Sequence, residues 1–287
     1  MSLAYWVEFF DDLQNVRGRS RNTVMAYRRD LEVYARFKQK YHDISFIYEF
    51  LKKQGLSTRS QARVVSSVRT YMRFIETKGE KCPELRQLRP PKVKAALPKA
   101  LSFDDFKKLF DSCVADSNYK TARNQLTLLL LFGLGVRVTE LIGLNLTDFN
   151  STDGWLKVTG KGGKQRLLPL SENLLKELHL YLEEIRPAIA KKNEKSVLVN
   201  DRGNRPSRID VWRWLAAWST KAGFDDPISP HKFRHGCATA LLEGGADLKS
   251  IQMLLGHSSI QTTQVYTSVS TQSLEKEVRE KHPLSEI

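Results

Sequence analysis

The sequence predicts a mainly α protein in two domains, a helical bundle followed by a mixed α/β domain with a small β-hairpin sheet. Three observations carry that expectation. Apolar residues recur at three- and four-residue steps along most of the chain, two strand-like runs flank a glycine cluster in GWLKVTGKGGKQRLLPL (154–170), and RPPKVKAALPKALS (89–102) interrupts every period with three prolines. The proline stretch reads as an extended basic linker, so the division is 1–90, a linker at 91–100, and 101–287. A chain of 287 residues is long enough for two ordinary domains, each with its own core.

In the first domain, Ser20 is an N-cap for a helix with apolar positions Val24, Tyr27, Leu31 and Tyr34, and shorter helices are expected at 2–14 and 44–54. Short connections make these a bundle. The helix from about Thr58 to Lys78 is the informative one. At roughly 100° per residue, Val64, Val65, Val68, Tyr71, Met72 and Ile75 share one arc, while Arg59, Arg63, Arg69 and Arg73, with Ser66 and Thr70, share the opposite one. One face should pack and the other should present a row of phosphate donors. A merely solvated polar face is the plainer reading. Against it stand the lack of any acid in that stretch before Glu76 and the domain's charge: residues 1–100 hold 21 Lys and Arg against 10 Asp and Glu, while 101–287 hold 25 against 22.

Charge also restricts function. A net charge of +14 and a pI near 9.7 imply an anionic partner, nucleic acid or a membrane surface being the usual ones. The longest apolar run, LTLLLLFGLGV (126–136), is too short for a span and suits a buried helix. MSLAYWVEFF at the start lacks a basic region and does not read as a signal peptide, which makes a cytoplasmic location the expectation. Cys82, Cys113 and Cys237 have no metal-ligand spacing and are expected to be free thiols in a reducing compartment.

In the second domain, TARNQLTLLLLFG (121–133) reads as a central helix, 154–170 as the hairpin, and IDVWRWLAAWSTKAG (209–223) as another helix. The next helix opens with SPHKFRHGC (229–237), and two short helices follow, ending near Tyr266. Ser229 and Pro230 mark a helix start, which sets His231 and Arg234 three apart on one face of its opening turns. Free N–H groups, an arginine fork and a histidine donor make a phosphate site. Zinc is a competing reading, since His231 and His235 are four apart with His257 downstream; Lys232 and Arg234 beside the metal weigh against it. A structural cluster is the third.

Four further segments bear on the choice, each weak alone. GLGVRVTEL (133–141) presents Arg137 after a glycine-rich break with Glu140 one turn on. TGKGGKQR (159–166) puts Lys161 at the hairpin tip and is no Walker loop. LLGHSS (254–259) places His257 after a helix-ending glycine, and SIQTTQVYT (259–267) ends a short helix with Tyr266.

Taken in order, Arg137, Lys161, His231, Arg234, His257 and Tyr266 resemble the tyrosine recombinase, or phage integrase, family, nearest its Xer-type site-specific recombinases. The resemblance covers almost the whole chain, because SRNTVMAYRRDLEVYARF and the proline-containing linker look like that family's core-binding domain and hinge. It implies a two-domain DNA clamp, a helical core-binding (SAM-like) bundle plus a mixed α/β catalytic domain. It also implies roles: Arg137, Arg234, His231 and His257 around the scissile phosphate, Lys161 as general acid, Tyr266 as nucleophile, and Glu140 as a supporting acid. His235 matches a mainly structural position. Among family members a tail like TQSLEKEVREKHPLSEI docks a short helix, here with Leu274 and Val278 on one side, into a neighbouring subunit. The implied partners are a double-stranded recombination site and further copies of the chain in a tetramer on two DNA sites, with a second recombinase or a DNA translocase motor as further partners the sequence leaves open.

The chemistry gives an independent reason for these residue types. A tyrosyl oxygen can hold the energy of a broken phosphodiester as a phosphotyrosyl bond, so neither ATP nor another cofactor is needed. Two arginines can stabilise the extra charge of the pentacoordinate transition state, the role metal ions play in nucleases, and no acidic metal cluster is apparent in the sequence. Gly236 and Cys237 depart from the family pattern, where a hydroxyl-bearing or larger residue is expected after the Arg-His pair, and should alter packing behind the phosphate.

Overall fold

Serine caps start most of the helices, and the apolar stripe of each turns it onto a core. The computed structural model describes residues 5–92, 100–256 and Lys281, with Lys161 described by its backbone alone. The chain falls into two compact units, Met1–Leu97 and Pro98–Ile287.

The first unit is all helical. Helix α1 (Trp6–Asp11) runs through a π turn at Asp12–Val16, and α2 (Arg21–Lys40) starts where the Ser20 hydroxyl accepts from the Thr23 N–H at 3.3 Å. A short turn at Ile44–Phe46 leads into α3 (Ile47–Lys53), and Ser57 caps α4 (Thr58–Thr77). Helix α4 packs along α2. All six apolar positions assigned to the inner arc of α4 are buried, and Ser67 and Phe74 join them. With Phe9, Leu13, Leu31, Phe37, Ile47 and Leu51 they form one core.

The outer arc departs from the expected row of four donors. Arg59, Arg63 and Arg73 are all exposed, but Arg63 is also tied to the buried carboxylate of Asp30 at 2.7 Å, which accepts from the Ser67 hydroxyl at 2.8 Å. A carboxylate so buried demands a cation, and Arg63 supplies one. Arg69 turns inward. After α4 the chain folds back through a short helical turn at Pro83–Arg86, and Arg69 donates to the carbonyls of Leu85, at 3.0 Å, and Leu88. Carbonyls at the end of such a turn need a donor, so Arg69 closes the unit on itself rather than standing in the exposed row.

The second unit is built around α6 (Asn118–Gly133), whose residues Leu126–Gly133 are all buried, with α5 (Phe103–Ser112) before it. Helix α7 (Val138–Gly143) leads to a three-stranded antiparallel sheet of β1 (Phe149–Asn150), β2 (Trp155–Thr159) and β3 (Gln165–Pro169), in that order. The hairpin is the expected one; β1 adds an edge strand too short to leave a periodic signal. Its register opposes Leu156 to Leu168 and Val158 to Arg166, and all four point inward. Helices α8 (Glu172–Leu180), α9 (Arg208–Lys221), α10 (Pro230–Glu243) and α11 (Leu248–Leu255) complete the unit. Of the two short helices expected after α10, α11 is one; the other lies outside the described residues. The three cysteines are free and buried.

Candidate active site

Leu134–Val136 form the break between α6 and α7, and the break depends on Gly135. Its φ is +57°, and a Cβ there would stand 2.5 Å from Leu255 Cδ2 and 3.2 Å from Cys237 Sγ. The turn delivers Arg137 as the residue that caps α7. Glu140, three residues on, accepts from the Arg137 backbone N–H and from Arg137 Nη1, both at 2.8 Å, which holds the guanidinium at the helix start while leaving its side chain 40% exposed. The other end of α7 is fixed by Arg205, which donates to the carbonyl of Ile142 and the Asn145 side chain, both at 2.6 Å.

Glu140 is itself buried and has a second cation. Arg166 on β3 forks onto it, with Nη1 to Oε1 at 3.0 Å and Nη2 to Oε2 at 2.8 Å. Burial alone would raise the carboxyl's pKa, but the Arg166 hydrogen bonds and the Arg137 N–H outweigh it and hold it at about 2. It is therefore a fixed anion between two arginines.

Helix α10 brings in the third. Ser229 stands at its N-cap and Pro230 at its first position, as the sequence implies, with His231 exposed on the opening turn. One turn along, Arg234 is half-buried, donating to the Gly135 carbonyl at 2.8 Å and to the Leu255 carbonyl. Burial, with Arg137 and Arg166 close by, pulls its pKa down to about 10. Three guanidiniums around one carboxylate leave an excess of positive charge facing a side chain that is partly open to solvent, an arrangement fit to receive an anion.

Gly236 and Cys237, where the sequence suggested a change in packing, lie behind this site. A Cβ on residue 236 would meet the Leu101 carbonyl at 2.5 Å and the Phe132 ring at 2.9 Å. The small residue lets α10 close on the α6 core, and the fully buried Cys237 thiol, its pKa pushed up to about 12 by burial, faces the Gly133 carbonyl. Lys161 sits in the turn Lys161–Gly163 between β2 and β3. Helix α11 ends in a left-handed Gly256, φ 64°, directly before His257; His257 and Tyr266 lie outside the described residues. Among the described residues, no group of three or more His, Cys, Asp or Glu is placed to hold a metal ion.

Residues 99–273 match the phage integrase family, and residues 7–79 match the N-terminal SAM-like domain of phage integrases. The chain belongs to the phage integrase family. It is a tyrosine recombinase, an enzyme of DNA strand cleavage and rejoining. The tyrosine recombinase XerD of Oceanobacillus iheyensis is 37% identical, over 98% of this chain and 99% of that protein. That of Listeria innocua serovar 6a is 36% identical, over 93% and 94%. In fold the chain is similar to a lambda integrase tetramer bound to a Holliday junction, with a TM-score of 0.69 at 19% identity over 93% of this chain and 80% of that one.

In this tyrosine recombinase, Arg137, Glu140 and Arg234 come together although they are 97 residues apart in sequence from first to last. Sequence reasoning passed over Arg166, which lies in TGKGGKQR. A signal was there: on a strand whose inward positions are otherwise apolar, an arginine in phase with Leu168 calls for a buried acid.

Proposed function

We propose that this recombinase acts at a specific double-stranded DNA site through a 3′-phosphotyrosyl intermediate, and that its role is the resolution of chromosome dimers in the cytoplasm. The observation that carries the chemistry is the pair Arg137 and Arg234, each anchored on protein acceptors, in a site where three guanidiniums share the single carboxylate of Glu140. In the proposed reaction both guanidiniums bind the nonbridging oxygens of the scissile phosphate. The Tyr266 oxygen attacks phosphorus, the bond to the 5′ oxygen breaks, and Lys161 supplies that oxygen's proton. His231 assists loss of the Tyr266 proton, and His257 donates a hydrogen bond to the phosphate. Attack by a 5′ hydroxyl reverses the steps and rejoins the strand, so the energy of the phosphodiester is conserved and neither metal nor ATP enters.

Arg59 and Arg73, exposed on α4, extend the contact to flanking phosphates. The likeness to proteins named XerD supports the Xer-type assignment, and that to a tetramer on a Holliday junction supports assembly of four copies on two sites; exchange of the C-terminal tail between neighbours rests on the family resemblance of the sequence alone. Among the described residues no helix is long and apolar enough to cross a membrane.

A supercoiled plasmid carrying two copies of the site, recovered by sequencing DNA covalently trapped on the protein, tests the reading. Reciprocal exchange between the copies is the expected product. Relaxation without exchange would make the enzyme a type IB topoisomerase-like protein, and joining of the site only to an unlike partner sequence would make it the integrase of a mobile element.

A further inference from the structure

Arg166 stands where the register of the sheet calls for an apolar residue. It is 7% exposed, opposite Val158 and in phase with Leu168. A buried ion pair rarely stabilises a fold more than apolar packing of the same volume, so stability alone does not account for it. Its contacts do. While Nη1 and Nη2 fork onto Glu140, Nε donates to the Leu254 carbonyl at 2.8 Å. The guanidinium is boxed in by two glycines: a Cβ at Gly256 would stand 3.3 Å from Nη1, and one at Gly160 would stand 3.7 Å from Nη1 and 3.3 Å from Glu140 Oε1. Gly160 precedes Lys161, and Gly256 precedes His257.

The adjacent carbonyl of Leu255 accepts from Arg234, so the last turn of α11, the negative end of that helix, rests on two arginines. Arg234 also holds the Gly135 carbonyl, two residues before Arg137. A closed ring of hydrogen bonds thus runs from Glu140 through Arg166, the end of α11, Arg234 and the Gly135 turn back to Arg137.

We propose that Arg166 is a positioning residue, which through Glu140 and the end of α11 sets Arg137, the Lys161 hairpin and the chain entering His257 in one register. The inference rests on the reading that these residues surround the scissile phosphate. A lysine could not replace it, because a single ammonium cannot reach both the carboxylate and the Leu254 carbonyl in a planar fork.

Single-turnover cleavage of a nicked duplex carrying the recombination site, at saturating DNA and with the full chain, tests it. Arg166→Gln and Glu140→Gln should each slow cleavage about 100-fold and leave the Kd for DNA within about 2-fold, as expected for a misplaced catalytic group. Because Arg166 acts through Glu140, the double variant should be no more than about 3-fold slower than the worse single one. Arg166→Lys should fall between wild type and Arg166→Gln. Cleavage by Arg166→Gln near the wild-type rate, a loss confined to DNA affinity, or losses that multiply in the double variant would overturn the proposal. Should Arg166→Gln not melt cooperatively, the comparison of Glu140→Gln with the double variant, in which both buried charges are gone, decides the same question. Tyr266→Phe is run alongside: covalent trapping by it would overturn the nucleophile assignment, whereas the Arg166 comparison is read from wild-type cleavage and stands apart.

Discussion

Glu140 is a carboxylate buried from solvent, its side chain 1% exposed, and it organises the site by what it holds. Its pKa of about 2 lies below the ordinary 4.5, so the folded state binds its proton less readily than the unfolded chain. The stability this contributes is present above pH 4.5 and is lost as pH falls towards about 2. Urea denaturation across that range should show wild type losing stability more steeply than Glu140→Gln, which has no such proton to gain; parallel slopes would mean that the carboxylate is not held by its arginines. Arg137, Glu140 and Arg234 were singled out in the sequence by the family resemblance that their motifs carry together, each motif being weak alone. The bracing was not. The Arg166 and Glu140 pair spans 26 residues and two elements, and Arg234 finds its acceptors on Gly135 and Leu255, backbone groups that have no sequence signature.

Among the elements, α4 shows how far a helical wheel can be carried. Its inner face follows from periodicity alone, since six apolar residues in one arc have one way to be buried. The outer face does not, because a wheel cannot tell an arginine left to solvent alone from one engaged by another segment. Asp30 on α2 takes Arg63, and the turn after α4 takes Arg69. Two kinds of behaviour should separate. Replacing Arg59 and Arg73 together should lower the slope of log affinity against log salt by about 1.8 on specific and random duplexes alike. Arg69→Ala should instead leave that slope unchanged and destabilise the first unit by about 1 kcal/mol, the cost of leaving two part-buried carbonyls unpaired. A salt titration with parallel thermal melts reads both, and a slope unmoved by the loss of Arg59 and Arg73 would place them in solvent.

At the scale of the whole molecule, composition and the proline stretch pointed to two units, and the chain divides between Leu97 and Pro98. The first unit carries most of the excess charge, while the second holds a site whose arginines are fixed by hydrogen bonds within the protein itself. That arrangement has a cost: burial first, and the neighbouring Arg137 and Arg166 second, lower the pKa of Arg234, and in the proposed reaction a bound phosphate would offset it. In the proposed reaction this charge awaits a phosphodiester that Tyr266 breaks. Mass spectrometry of the peptide left on DNA, after covalent trapping on a nicked duplex and proteolysis, tests it most directly. The expected result is a phosphotyrosyl adduct on Tyr266, with Tyr266→Phe binding the duplex but leaving no adduct. An adduct on any other residue, or trapping by Tyr266→Phe at the wild-type level, would contradict it.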